Sequence, residues 1–121
     1  MKKLSNKEME VMQVFWNSDH ALASCDIPRL DNTLNINTVR VAIKNLLKKS
    51  YIEAADIVQR GTVLTHTYRP SISFETYLNE QLKHINFNSL NLVCSLVKQE
   101  KSSVNLDELE RIINEHRHTI E

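Results

Sequence analysis

A chain of 121 residues with 41% hydrophobic and 25% charged residues describes a folded globular protein: one ordinary domain, or one small domain with an appendage. No apolar run approaches the roughly 18–20 residues needed to span a bilayer, and the opening residues turn polar at once, so neither a membrane segment nor a secretory leader is expected and the chain reads as cytoplasmic. The formal net charge of zero offers no bulk attraction to a polyanion, and a single glycine with two prolines argues for few tight turns and mostly helix.

In chain order, Ser5 followed by Glu8 is a capping box, and Met9, Met12, Phe15 and Trp16 recur behind it at helical spacing, giving a first helix over about 6–17. Asn17-Ser18-Asp19-His20 ends it. Ser24 is placed to cap a second helix reaching Leu30, with Pro28 in its first turn, where a missing donor costs little. After a turn at Asp31-Asn32-Thr33, Asn35 caps a third helix over about 36–49. Val39, Ile43, Leu46 and Leu47 mark its inner side, and Asn37, Arg40, Val41, Lys44 and Lys48 its outer side. Residues 51–58 are loosely strand-like and 63–68 are β-branched and aromatic. Between them Gln59-Arg60-Gly61-Thr62 holds the only glycine, suited to a positive-φ turn, so the pair reads as a hairpin closed by Pro70. Helical spacing then returns over about 74–84 and 87–99. A last amphipathic helix carries Leu106, Leu109, Ile112, Ile113 and Ile120, with Asn105 and Glu108 resembling its N-terminal cap.

The fold class expected is therefore mainly α with a small β-hairpin: a winged helix-turn-helix domain over 1–72, then a helical dimerisation domain over 73–121. Charge divides the same way. Residues 1–72 hold ten Lys/Arg against seven Asp/Glu and residues 73–121 five against eight, while 35–69 alone holds six basic residues against two acidic. It is the local field, not the total, that steers a polyanion.

Two helices joined by a short turn, the second apolar inside and polar-basic outside, can set that second helix in a major groove, where base edges are distinguishable. Asn37, Thr38, Arg40, Val41 and Lys44 reach outward from its first turns. Asn37 suits adenine, Arg40 guanine and Val41 a thymine methyl, while Lys44, Lys48 and Lys49 suit phosphates, and Arg60 and Thr62 at the hairpin tip would brace the adjacent backbone. A basic outer face is also the ordinary appearance of a solvated helix, and a protein-interaction adaptor with this fold would need no DNA. In the second part, Phe87, Leu90, Val93, Leu109, Ile112 and Ile113 are the residues expected to pack a homodimer; folding back to make one monomeric core is the alternative.

The opening Leu4-Ser5-Asn6-Lys7-Glu8-Met9-Glu10-Val11-Met12-Gln13-Val14-Phe15-Trp16 resembles the L-S-x-x-E-x-x-V-M-x-x-x-W signature of the penicillinase-repressor (BlaI/MecI/CopY) family of winged-helix repressors. Asn37-Thr38-Val39-Arg40 with Leu46-Leu47-Lys48-Lys49 is similar to that family's recognition helix, and Tyr68-Arg69-Pro70 to the strand end leading into its dimerisation helices. The resemblance implies a homodimer that binds a palindromic double-stranded DNA operator and represses transcription. The chain departs from the family pattern in having Asn35-Ile36 where Ser-Pro is frequent, and Asn45 where Arg is common. Members inactivated by a sensor protease are cut at an Asn-Phe bond; the corresponding segment here is Val93-Cys94-Ser95-Leu96-Val97, so that dipeptide is replaced near Ser95-Leu96. Copper-responsive members end in a C-x-C tail, whereas this sequence ends Glu115-His116-Arg117-His118-Thr119-Ile120-Glu121.

No cofactor and no metal are expected. His116 and His118, two apart, turn roughly 200° from each other on a helix, and His20, His66 and His84 are scattered. Nor is an enzyme expected, for the sequence holds no Gly-rich phosphate loop, no H-E-x-x-H and no G-x-S-x-G. Cys25 and Cys94 form no C-x-x-C pair and fit a reducing compartment; Cys25 is read as a half-buried helix residue and Cys94 as a packing residue.

Overall fold

The structure, a computed structural model, describes residues 2–120. The chain divides into two compact units, one through His84 and one from Ile85 onward.

The first unit opens with α1 (Asn6–Asn17), whose capping box is formed: the Ser5 hydroxyl accepts from the Glu8 amide at 3.2 Å and the Glu8 carboxylate accepts from the Ser5 amide at 3.1 Å. A two-residue strand β1 (Leu22–Ala23), not anticipated from the sequence, precedes a 3-10 turn (Ser24–Asp26) that runs into the short α2 (Ile27–Leu30). Ser24 makes no capping bond; the Asp26 carboxylate reaches back instead and accepts from the Ala23 amide at 2.9 Å. Helix α3 (Ile36–Lys48) starts at Asn35, whose side chain accepts from the Thr38 amide at 2.9 Å. Strands β2 (Ile52–Arg60) and β3 (Val63–Pro70) form the hairpin, and the sheet order β1-β3-β2 is antiparallel throughout. The hairpin is thus the larger part of a three-stranded sheet, with Leu22 opposite Tyr68 and Ala23 opposite Thr67. Gly61 turns the tip at φ +64°.

Val11, Met12 and Phe15 of α1, Ile27 of α2, and Val39, Ala42, Ile43 and Leu46 of α3 bury one core beneath the sheet, joined by Leu22 and Tyr51. Leu47, expected among the inner residues, is 38% exposed; Ala42 takes the inward position. Helix α4 (Phe74–Leu82) belongs to this unit, so the compact part runs beyond the 72/73 junction expected from sequence. Aromatic packing explains the extension. Trp16 lies 5.3 Å from Phe74 and 5.5 Å from Tyr77, Tyr51 lies 6.0 Å from Tyr77, and the Trp16 indole donates to the Ile72 carbonyl at 2.9 Å.

The second unit holds α5 (Ser89–Gln99) and α6 (Ser103–Ile120). Asn88 caps α5, so Phe87 precedes the helix rather than opening it. Ser102, not Asn105, accepts from the first turn of α6, because α6 begins earlier than its apolar pattern suggests. Neither helix contains a buried residue.

Helix α3 ends in a Schellman arrangement: the Tyr51 amide donates to the Leu46 carbonyl at 3.0 Å and the Ser50 amide to that of Leu47 at 3.1 Å. Ser50 occupies the left-handed position at φ 63°, where a Cβ costs about 1–2 kcal/mol. Ser50→Gly relieves this strain but enlarges the unfolded-state entropy, leaving an expected net gain of about 0.5–1 kcal/mol in urea titration. A loss of stability would show that the Ser50 side chain contributes more than its backbone strain costs.

Candidate nucleic-acid interface

The outward side of α3 is built by the same pattern that fills its inward side. At about 100° per residue, Asn37, Arg40, Val41, Lys44 and Lys48 fall in a wedge about 100° wide that extends roughly 16 Å along the helix. All five are exposed, while Val39, Ala42, Ile43 and Leu46 lie buried behind them. Thr38 sits on the flank, half-buried, its amide engaged by the Asn35 cap. Among the described residues, Arg40, Lys44 and Lys48 make no ion pair or hydrogen bond through their side chains, so three cations face outward without a partner. A shallow groove of about 380 Å³ runs beside this wedge, lined by Ser5, Lys7 and Glu8 of the α1 start and by Asn37, Thr38, Val41, Ala42 and Asn45.

Three other cations of the basic stretch are engaged within the molecule. Lys49, grouped by sequence with the phosphate-binding lysines, turns inward: its ammonium donates to the Glu8 carboxylate at 2.5 Å and to the Lys3 carbonyl at 2.9 Å. Arg69 pairs with Glu53, the residue opposite it in the hairpin, at 2.9 Å. Arg60, expected at the hairpin tip as a backbone brace, is half-buried and forked onto Asp26, Nε to Oδ1 at 2.9 Å and Nη2 to Oδ2 at 3.0 Å. That fork, helped by the Ala23 amide, holds the Asp26 carboxyl below the usual carboxylate range against the opposing effect of burial. Thr62 stands exposed at the tip. Asp26 was not among the residues singled out from sequence; it lies 34 positions from Arg60, and no local spacing announces the pair.

In the second unit, Phe87, Leu90, Val93, Ile112 and Ile113 are 40–69% exposed and Leu109 is half-buried. Leu90, Val93, Cys94 and Val97 form one stripe of α5. On α6 Leu109, Ile113 and Ile120 form another, opposite Arg111, which pairs with Glu108 and with Glu115. Cys94, read from sequence as a packing residue, is exposed, and Cys25 is half-buried. Helix α6 persists to Ile120, so His116 and His118 leave it in opposed directions. Among the described residues no group of three His, Cys, Asp or Glu is placed to hold a metal, and no helix is long and apolar enough to cross a membrane.

Glu8 joins the capping box to the end of α3. Its burial raises the carboxyl pKa, but the Lys49 ammonium, the Ser5 amide and Asn45 outweigh that, leaving it below its ordinary value. A depressed folded-state pKa contributes stability above the unfolded value and loses it as pH falls through the folded one. Lys49→Met leaves a buried carboxylate without its cation. It should cost about 2–3 kcal/mol at neutral pH, with the deficit relative to wild type narrowing as acid protonates Glu8. A deficit independent of pH between neutrality and the acid limb would refute this account.

The profile of the family described as "Penicillinase repressor" matches residues 4–115. No curated protein matches. Among solved structures, the chain is similar to the adhesin competence repressor AdcR from Streptococcus pyogenes, at 16% identity and a TM-score of 0.47, covering 98% of this chain and 81% of that one. It is also similar to the transcriptional regulator SlyA, at 15% identity and a TM-score of 0.43, covering 95% of this chain and 74% of that one.

Proposed function

The chain belongs to the penicillinase-repressor family and is a DNA-binding transcriptional regulator, and from that premise we propose that it binds a palindromic operator as a homodimer, with α3 of each copy in a major groove. The observation that carries this reading is the outward wedge of α3, with three unpartnered cations above a buried aliphatic side. In such a groove Asn37, Thr38, Arg40 and Val41 face base edges, while Lys44 and Lys48 lie toward phosphates. Residues through 72 supply the DNA-reading part, and those from 73 onward, with α4 packed back on the first unit, lead into the dimerisation helices.

What supports the homodimer is the state of the second unit. Two helices with no buried residue cannot bury their own apolar stripes, and a second copy of Phe87, Leu90, Val93, Leu109, Ile112 and Ile113 is a self-complementary cover. Two recognition helices on one face of B-DNA stand about 34 Å apart, a spacing that this dimer would set.

Enrichment of duplexes from a random-sequence pool by the full chain, followed by fluorescence anisotropy at two salt concentrations, tests the reading. A symmetric site with steeply salt-dependent affinity is the expected result; failure to retain any duplex at low salt overturns it in favour of a protein-binding role. Arg40→Ala should weaken the enriched duplex by about 1–3 kcal/mol while sparing unrelated DNA. An equal loss on both would move Arg40 to a phosphate. Leu109→Asp should convert the dimer to monomer in sedimentation and lower operator affinity together; a monomer that binds normally would break the link between the two.

A further inference from the structure

The outer half of the hairpin has little to hold it. Ile57, Val63 and Leu64 are 61%, 62% and 71% exposed, and Val58, though half-buried, is not packed against the core, so the core does not anchor this end. Among the described residues, the only hydrogen bonds or ion pairs joining residues 57–65 to an element outside the hairpin are those of Arg60 with Asp26. Asp26 is a junction in its own right: it ends the 3-10 turn and immediately precedes α2, and its Oδ2 also accepts from the amide of Ala23, which pairs with Thr67 of β3. One carboxylate thus connects the hairpin end, the short strand β1 and the first helix of the helix-turn-helix.

Arg60 is also the sole cation of the segment 59–64. A phosphate approaching it would have to displace a bidentate carboxylate and meet that carboxylate's own negative charge. Bidentate guanidinium–carboxylate pairs are geometrically selective in a way a lysine is not. We infer that Arg60 is a positioning residue that locks the hairpin tip to Asp26, and that the tip meets DNA through backbone amides and the Thr62 hydroxyl instead of through a cation. This rests on the DNA-binding reading above for its second half only; the lock itself is a property of the free protein.

The test uses full-length Asp26→Asn, Arg60→Gln, Arg60→Lys and the Asp26→Asn/Arg60→Gln double variant. In the free protein, hydrogen exchange of amides 57–65 should accelerate to a similar extent in each single variant and no further in the double. Exchange unchanged from wild type overturns the lock, whatever happens with DNA. On the duplex enriched by wild type, all four should bind roughly three- to tenfold more weakly with an unaltered salt slope, Arg60→Lys included, since it keeps the charge and loses the fork. A phosphate contact predicts the opposite pattern. Asp26→Asn would then tighten binding by freeing the cation and removing an anion, Arg60→Gln would flatten the slope by about one ion, and Arg60→Lys would bind like wild type. If wild type enriches no duplex, the DNA-binding reading fails and the exchange measurement still decides the lock.

Discussion

Val39, Ala42, Ile43 and Leu46 hold α3 by one side, against Val11, Met12 and Phe15 of α1 and Ile27 of α2, and everything that α3 presents outward depends on that grip. Rotation of the helix by one residue would move about 100° of surface and carry Arg40 and Lys44 away from any ligand they shared. The grip is reinforced at both ends. Asn35 caps the start, and at the finish Lys49 reaches Glu8 and Lys3 while the Tyr51 hydroxyl donates to the Lys2 carbonyl. The outward side of α3 is held in one orientation because its reverse side and its termini are each fixed by a different kind of interaction.

Charge in the first unit is sorted by the same construction. Of the six basic residues between 35 and 69, Lys49, Arg60 and Arg69 are tied to carboxylates, and Arg40, Lys44 and Lys48 are left facing out, all on α3. Within that stretch the cations without an ion pair are therefore all carried by one helix. On the proposed reading, that division makes the helix the source of electrostatic attraction.

Much of this could be read from the sequence, for reasons particular elements make plain. Helix α1 announces itself through Ser5, Glu8 and a 3.6-residue apolar period, and α3 through the Asn35 cap and alternating inner and outer sides, so the winged helix-turn-helix order and the exposed residues of α3 were legible. Gly61 marked the hairpin tip because only one glycine was there to mark it. What stayed hidden was long-range. β1 is two residues long, too short for any period, and exists because β3 offers it a free edge. The inward turn of Lys49 and the Arg60–Asp26 fork join residues 41 and 34 positions apart, and nothing in a lysine or arginine tells whether its partner is water, phosphate or a distant carboxylate. α4 looked like the first helix of the second part because its apolar spacing is ordinary; the aromatic contacts of Tyr77 with Trp16 and Tyr51 assign it to the first.

The outward residues of α3 carry no duties inside the molecule. Asn37, Arg40, Val41, Lys44 and Lys48 contribute nothing to the core, and among the described residues neither the cap nor any ion pair depends on their side chains. Substitution there is thermodynamically cheap, so on the DNA-binding reading proposed above the groups that would choose a base sequence can be exchanged without disturbing the fold. Glu8, Asp26 and Lys49 have no such latitude, because each is tied to a partner on a distant part of the chain.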